Sequence, residues 1–277
     1  MTKTALVLGG GGVTGAAWEL GLLAGLADEG LDLAGADLIV GTSAGAVVGA
    51  QVTSGASLAG LHEAQLAPPR AEPVPRTGVR LAARWWLAAA SSKDPVKVRA
   101  RLGRMALAAK TIPEAQRLEM IAGRLPAREW PARRLQITAV DAGSGEFTIF
   151  DAASGAGLVE AVAASCATPS VWPPIRIGGR HWIDGGVRSP TNADLAAGSE
   201  RVVVVAPIIR GLSTSVADEV AGLTRGRAMV TVIEPDQAAA RYMGRGGLDP
   251  ALRALAGRAG YTQAASAAGQ VAAVWSH

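Results

Sequence analysis

Ser43 is the residue whose type and setting point most directly to chemistry. It stands in Gly41-Thr42-Ser43-Ala44-Gly45, after the apolar run 38–40 and before a helix-compatible stretch of small residues. Glycines around a serine keep Cβ atoms out of a sharp strand-to-helix turn and let a substrate carbonyl approach the hydroxyl. The start of the following helix would point partial positive charge at Ser43 and at any oxyanion formed beside it. The pattern predicts a nucleophilic serine. The alternative is a small-residue turn without chemistry, because the chain has 35 glycines.

A second glycine-rich turn, Gly9 to Gly15, follows the predicted strand Thr4 to Leu8. Its Gly10-x-Gly12-x-x-Gly15 spacing matches the fingerprint of dinucleotide-binding folds, so a nucleotide-binding α/β protein is one interpretation. In those folds the next strand ends in an acidic residue that binds a ribose hydroxyl, whereas this one ends in Val40 and a glycine. That difference favours the other interpretation, an oxyanion hole whose backbone N–H groups lie beside a nucleophile on the neighbouring strand.

A serine hydroxyl is a poor nucleophile unless a neighbouring group accepts its proton. The three histidines are poorly placed for this, since His62 lies in a predicted helix, His181 precedes an apolar strand and His277 is the last residue. Asp184 is better placed, because it ends a predicted strand and two glycines follow it. A solvated aspartate, with a pKa of about 3.9, is a weak base, so Asp184 must be partly desolvated to act. The alternative is that Asp-Gly-Gly forms an ordinary turn.

The length, composition and net charge of the chain limit the class of protein to which it can belong. A length of 277 residues favours one domain, and no apolar run reaches the roughly 18 residues that span a bilayer. The first apolar run is too short for a signal-peptide core, so we expect a cytoplasmic protein. The single cysteine, Cys166, and the scattered histidines predict neither an intramolecular disulfide nor a metal site. The net charge of +4 indicates an anionic surface or substrate, or only an arginine-rich composition.

Residues 68–125 are predicted to form a basic helical insertion or cap within a single domain that spans residues 1–277. The proline-rich stretch 68–75 predicts a connector, and 76–125 is predicted to be helical, with basic residues between apolar ones that include Trp85 and Trp86. One interpretation is an amphipathic cap that contacts an anionic membrane peripherally or closes over the active site. The other is an insertion whose arginine stems cover apolar surface while their charged ends stay in water.

The remaining segments predict a three-layer α/β/α sandwich with a mostly parallel central sheet. The valines at 202–205 predict a strand that is covered on both faces. The loop from Cys166 to Pro174 contains Pro169 and Trp172, which either line an acyl pocket and bind substrate or belong to a rigid crossover. Further strands are predicted at 135–140, 147–150, 175–177, 181–183 and 229–233.

Taken together, these segments resemble the patatin-like phospholipase family. The resemblance covers Thr4 to about Val205, apart from the basic helical middle. It implies a patatin-like fold and hydrolysis of the fatty-acyl ester bonds of lipids by a Ser43–Asp184 dyad without histidine. The segments that carry it are Gly9–Gly15, Gly41–Gly45, Ala164–Pro169 with Pro173 and Pro174 behind it, and Asp184-Gly185-Gly186 followed by Asn192.

The resemblance also implies the other parts of the site. Gly41 and Gly45 would form the nucleophile elbow, and the backbone N–H groups of Gly11, Gly12 and Val13 would hold the oxyanion. No metal and no cofactor take part, and the expected partner is a lipid ester rather than a nucleic acid. The oxyanion-hole turn as a whole comprises Gly10, Gly11, Gly12, Val13 and Gly15.

Thr14 departs from the family pattern, which usually has Arg or Lys before the last glycine of the first motif. The backbone donors survive this change, but a cation near the site is lost. The departure predicts reduced activity, down to a catalytically weak lipid-binding relative, or a preference for a less anionic substrate. The alternative is that arginines of the predicted cap replace the missing cation.

Overall fold

The computed structural model describes residues 3–68, 78–212, 214–243 and 247–275. The predicted connector at 69–75, the first residues of the predicted helical region at 76–77, and His277 lie outside the described residues. The strands are β1 (Thr4–Leu8), β2 (Leu38–Gly41), β3 (Arg134–Asp141), β4 (Phe147–Phe150), β5 (Ile175–Ile177), β6 (Arg180–Asp184), β7 (Arg201–Val205) and β8 (Met229–Ile233). The helices are α1 (Gly12–Asp28), α2 (Ala44–Val52), α3 (Leu58–Leu66), α4 (Val79–Ala89), α5 (Pro95–Leu107), α6 (Glu114–Ala122), α7 (Leu158–Ser165), α8 (Val216–Arg225), α9 (Gln237–Ala240) and α10 (Arg253–Trp275). Within these ranges, no helix combines the length and apolarity that crossing a membrane requires.

The strands form one sheet in the order β5-β6-β3-β2-β1-β7-β8, with β4 paired to β3. Strands β3, β2, β1, β7 and β8 are mutually parallel, while β4 and β6 run antiparallel to β3, and β5 runs antiparallel to β6. The predicted mostly parallel sheet is therefore confirmed, with its antiparallel pairs confined to one side.

Helices cover both faces of this sheet. On β7, Val203 and Val205 pack in one core with residues of α1, α2, α7 and α10, and Val202 and Val204 pack in another with α8. Because successive strand residues point to opposite faces, an unbroken valine run needs cover on each side. The predicted three-layer α/β/α sandwich is confirmed.

Helices α4 and α5, which we call the cap helices, pack on the sheet beside the site. Val98 and Leu102 of α5 share a core with Val140 of β3 and Ile183 of β6. Ala139, the neighbour of Val140, points into the opposite core, so the cap helices cover the face that α8 also covers. Helix α6, which follows them in sequence, instead packs against α7.

The strand register brings the ends of two antiparallel strands together. Gly41, the last residue of β2, lies opposite Ile137 of β3, and Asp184, the last residue of β6, lies opposite Ala139. Ile137 and Ala139 are only two residues apart on β3, so the last residues of β2 and β6 lie close together. Leu8, at the end of β1, lies opposite Gly41, which brings the glycine-rich turn to the same place.

Glycines let α1 and α10 pack with their backbones in close contact. A Cβ at Gly21 would overlap the carbonyl oxygen of Gly257, and a Cβ at Gly260 would overlap that of Trp18. The buried Trp18 Nε1 donates to Gln263 Oε1 at 2.9 Å, which fixes the two helices along their length. Because α1 begins at the glycine-rich turn, this packing also supports that turn.

We predict that Gly21→Ala lowers the free energy of unfolding by about 1–3 kcal/mol, since the added methyl group meets backbone that cannot move aside. Gly269→Ala is the matched control on α10, where a Cβ would meet no atom within 4 Å. It should raise the free energy of unfolding by about 0.5–1 kcal/mol through helix propensity. Urea-induced unfolding of both variants measures the difference, and equal stability of Gly21→Ala and the unchanged protein would contradict the close packing.

Candidate active site

Ser43 lies in the two-residue turn between β2 and α2. Its φ of 54° and ψ of −111° place it in a backbone region that residues other than glycine rarely adopt. Gly45 permits this turn, because a Cβ there would overlap the backbone carbonyl of Leu8. The Gly45 N–H also donates to the Gly9 carbonyl at 2.9 Å, which joins the turn to the glycine-rich turn after β1. The predicted strand–turn–helix setting of Gly41 and Gly45 is thus present, with the serine at its strained position.

The backbone of Ser43 is fixed by two residues at the end of α7, the last helical residue Ser165 and the following Cys166. The Ser43 N–H donates to Ser165 Oγ at 2.9 Å, and Cys166 Sγ donates to the Ser43 carbonyl at 3.1 Å. These bonds stabilise the unusual φ by occupying both backbone polar groups. The sequence singled out the segment Ala164–Pro169 by resemblance alone and gave no hint of this role.

The Ser43 hydroxyl donates to Asp184 Oδ2 at 2.8 Å. Two further donors contact the carboxylate: Thr168 Oγ1 at 3.2 Å from Oδ2 and the Gly186 N–H at 2.8 Å from Oδ1. Asp184 is 6% exposed. Burial raises the pKa of Asp184 to about 6, although these three hydrogen bonds and the charge of Arg117 favour the ionised form. The desolvation that a useful aspartate base requires is therefore present.

A buried polar cluster holds Thr42, the residue before Ser43. Asn192 Nδ2 and Thr138 Oγ1 each lie 3.0 Å from Thr42 Oγ1, which donates to the Thr191 carbonyl. Asn192 has a left-handed φ of 52°, and its Oδ1 accepts from Arg188 at 2.7 Å. Asn192 therefore supports the serine turn from below. Of the residues that contact Thr42, only Asn192 was indicated by sequence, since Thr138 and Thr191 belong to no motif.

The predicted oxyanion-hole residues fall into two groups. The Gly10 N–H donates to the Pro190 carbonyl at 2.8 Å and the Gly15 N–H to the Gly11 carbonyl at 3.0 Å. These two amides therefore stabilise the turn. Among the described residues, the N–H groups of Gly11, Gly12 and Val13 have no hydrogen-bond partner, and all three residues line the cavity that contains Ser43. Of the five predicted residues, only these three have amides available to an oxyanion.

Thr14, the residue that departs from the pattern of the family that the sequence resembles, is fully buried. Its N–H donates to the Gly247 carbonyl at 3.2 Å and its Oγ1 lies 3.8 Å from Met243 Sδ. The side chain therefore binds the segment before α10.

A cavity of about 1090 Å³ opens at Ser43 and Asp184. Both predicted substrate-binding residues, Pro169 and Trp172, line it. So do Trp85 of α4 and residues of α2 and α5, and most of the lining is apolar. Apolar lining residues include Val13, Val47, Leu102, Val171, Ile208, Leu212, Met243 and Leu248.

The two histidines that the structure describes do not line this cavity. His62 stacks on Tyr261 with ring centroids 5.2 Å apart, and His181 is exposed on β6. Asp184 is the only carboxylate among the described lining residues. Over the same part of the chain, no group of three His, Cys, Asp or Glu side chains is placed to hold a metal ion.

Two solved structures resemble this chain at low sequence identity. VipD from Legionella pneumophila aligns over 97% of this chain and 67% of its own, with 13% identity and a TM-score of 0.49. The type III effector protein ExoU aligns over 98% of this chain with 17% identity and a TM-score of 0.44, and this chain spans about half, 53%, of the ExoU chain. No curated protein sequence matches the chain.

The family model for patatin-like phospholipase matches residues 6–197, which is more than half of the chain. The matched range includes both glycine-rich turns, Ser43 and Asp184. The chain therefore belongs to the patatin-like phospholipase family, a family of lipid acyl hydrolases.

Proposed function

We propose that the protein is a serine acyl hydrolase that cleaves fatty-acyl ester bonds of lipids, with Ser43 as nucleophile and Asp184 as general base. The observation that carries the proposal is the 2.8 Å hydrogen bond from the Ser43 hydroxyl to a buried carboxylate at the wall of an apolar cavity. Serine attack requires such an acceptor, and the strained serine turn directs the hydroxyl toward substrate. The cavity volume lies slightly above the roughly 300–1,000 Å³ usual for ligand sites, in keeping with a long acyl chain.

In the acylation step, Ser43 Oγ attacks the ester carbonyl carbon while its proton passes to Asp184 Oδ2. The carbonyl oxygen becomes an oxyanion, which the N–H groups of Gly11, Gly12 and Val13 at the start of α1 stabilise together with the partial positive charge of the helix N-terminus. The intermediate collapses by breaking the bond to the alcohol oxygen, and Asp184 returns the proton to that oxygen. The alcohol, a lysolipid for a phospholipid substrate, leaves, and Ser43 carries the acyl group.

In the deacylation step, water attacks the acyl-enzyme carbonyl and loses a proton to Asp184. The same N–H groups hold the second oxyanion, and collapse frees the fatty acid while Ser43 Oγ recovers the proton. A base is most effective when its pKa lies near the working pH, so a carboxylate of pKa about 6 suits this cycle better than a solvated aspartate. Thr168 keeps Oδ2 oriented toward Ser43 throughout.

We predict that a fluorophosphonate probe labels the protein and that Ser43→Ala abolishes both this labelling and the hydrolysis of medium-chain p-nitrophenyl esters. Asp184→Asn should lower kcat/KM by about 10²–10⁴-fold, since it removes the base and leaves the oxyanion donors. Ser154→Ala, at an exposed serine in the turn after β4, is the control and should keep full labelling. Labelling of Ser43→Ala at the level of the unchanged protein would refute Ser43 as nucleophile.

We predict that kcat/KM rises with pH up to about 6 and then levels, because Asp184 acts as base only when ionised and burial raises its pKa to about 6. Thr168→Val removes a hydrogen bond that favours the ionised form, so it should move the inflection to higher pH. Thr148→Val on β4 is the matched control. The measurement is initial rate on a neutral soluble ester between pH 4.5 and 8, and a flat profile or a downward shift would contradict the assignment of Asp184.

We further propose that α4 contacts an anionic membrane surface. Trp86 is 68% exposed and Leu87 58% exposed, while the adjacent Trp85 lines the cavity. Interfacial helices combine exposed aromatic and aliphatic side chains with basic ones, and both are present here. Exposed basic residues on the cap helices and the turn between them are Arg84, Lys93, Lys97, Arg101 and Arg104.

We predict that a Trp86→Ser/Leu87→Ser double variant binds phosphatidylglycerol-containing vesicles at least about tenfold more weakly, because two apolar side chains no longer enter the bilayer. Leu255→Ser, at an exposed leucine on α10, is the matched control. Vesicle sedimentation measures the bound fraction, which for the unchanged protein should also fall as NaCl is raised. Salt-insensitive binding, or equal binding of the double variant, would rule out this surface.

A further inference from the structure

Trp85 of α4 carries a hydrogen-bond donor that the protein does not satisfy. Its indole Nε1 is shielded from solvent and has no hydrogen-bond partner among the described residues. A buried indole N–H usually finds an acceptor, and leaving it unpaired is unfavourable. Four other tryptophans of this chain follow that rule and donate Nε1–H to a protein oxygen. They are Trp18, Trp130, Trp182 and Trp275.

The surroundings of Trp85 favour a ligand over a fixed water as the missing acceptor. Trp85 packs against a core that contains Leu102 of α5, Ile183 of β6 and Val187, and the side chains of this core are all apolar. An ordered water inside a protein needs about two to four polar groups to hold it. A lipid oxygen needs no such support, because it is carried into place by the apolar molecule to which it belongs. Trp85 lines the cavity that would admit that molecule.

Trp85 lies on the Asp184 side of the nucleophile. Two members of its core, Ile183 and Val187, come one residue before Asp184 and three residues after it. The strand order β6-β3-β2-β1 places β6 and β1 on opposite sides of β2. Ser43, at the end of β2, therefore has Asp184 on one side and the glycine-rich turn after β1 on the other.

This strand order orients an ester in the cavity. In the proposed mechanism the carbonyl oxygen faces the N–H groups of the glycine-rich turn, while the alcohol oxygen lies near Asp184, which returns the proton to it. The alcohol part of the substrate therefore points to the β6 side. On that side Trp85 and Leu102 of the cap helices line the cavity together with Val187. The part of the substrate nearest to Trp85 is thus the alcohol part.

We propose that Trp85 is a specificity-determining residue that donates its indole N–H to an oxygen in the alcohol part of the substrate, beyond the scissile ester. The inference rests on the proposed acyl hydrolase function and defines the alcohol as an oxygen-bearing one, such as the glycerol of a glycerolipid, rather than a plain alkyl alcohol. The acceptor is an oxygen of the glycerol unit or of a phosphate. Because neighbouring side chains cover Nε1, the indole ring turns on binding, as side chains at binding surfaces commonly do.

The first test uses Trp85→Phe, which keeps an aromatic ring and removes the donor. Initial rates are measured on ethyl octanoate, dioctanoylglycerol and dioctanoyl phosphatidylcholine in micelles of a neutral detergent. The variant should lower the kcat/KM of at least one lipid relative to that of ethyl octanoate by about three- to tenfold. A fall for both lipids identifies a glycerol oxygen as the acceptor. A fall for the phospholipid alone, of about tenfold or more, identifies a phosphate oxygen, because charged acceptors form stronger hydrogen bonds.

Trp275→Phe is the matched control for this test. It makes the same change on α10, outside the cavity, where Nε1 donates to the Asp32 carbonyl at 3.3 Å. It should leave the ratios between the three substrates unchanged. If Trp85→Phe also left these ratios unchanged, whether or not the rates fell together, Trp85 would act only through packing and the proposal would be overturned. Absence of hydrolysis of all three esters by the unchanged protein would instead refute the proposed function.

A second test does not depend on catalysis. Ser43→Ala protein, with and without the added Trp85→Phe change, is titrated calorimetrically with ethyl hexanoate and with dihexanoyl phosphatidylcholine below its micelle concentration. The added change should weaken binding of the phospholipid relative to ethyl hexanoate by at least about threefold, since only the phospholipid carries an acceptor beyond its ester. Equal weakening of both ligands, or unchanged binding of the phospholipid, would overturn the assignment of Trp85.

Discussion

The hydrogen bond between the Ser43 hydroxyl and the Asp184 carboxylate is the interaction on which the site depends. It exists because β6 runs against β2 and β3, so that its last residue meets the end of β2 instead of lying at the far edge of the sheet. A buried carboxylate has a desolvation cost of several kcal/mol unless donors surround it. Thr168 and Gly186 supply two such donors, and the remaining cost appears as the raised pKa of Asp184.

The strained backbone of Ser43 is a second constraint, and contacts from three separate parts of the chain stabilise it. Gly45 lets the turn press against the carbonyl of Leu8, while Ser165 and Cys166 bind the Ser43 N–H and carbonyl. Asn192 fixes the preceding Thr42. A positive φ at a non-glycine residue persists only when its surroundings determine it in this redundant way. The glycine-rich turn is joined to the same point through the Gly45 N–H, so nucleophile and oxyanion donors are held as one unit.

Much of this arrangement follows from local sequence patterns. The strand run 38–40 and the glycines around Ser43 specify a turn, and turns after parallel strands such as β1 and β2 meet at one edge of the sheet. The two glycines after Asp184 also specify a turn, but β6 is antiparallel, so the strand register places Asp184 beside Ser43 and no local pattern predicts it. The amide partners of Gly10 and Gly15 could not be foreseen, because the Gly10 partner, Pro190, is distant in sequence and the turn looks the same with or without these bonds. The sequence also could not predict which arginines of the predicted basic region are exposed and which line the cavity. Its arginines look alike in sequence, yet Arg101 is exposed while Arg117, on a helix that packs apart from the cap helices, lines the cavity.

Helix α4 carries Trp85 in the cavity wall and Trp86 on the outer surface, one residue apart. Adjacent helical residues point about 100° apart but move together, because the backbone between them is rigid. If Trp86 enters a bilayer as proposed, any tilt or shift of α4 that accommodates it displaces Trp85 by a similar amount. Adsorption to the lipid surface and the shape of the substrate cavity would then be coupled mechanically through this one helix.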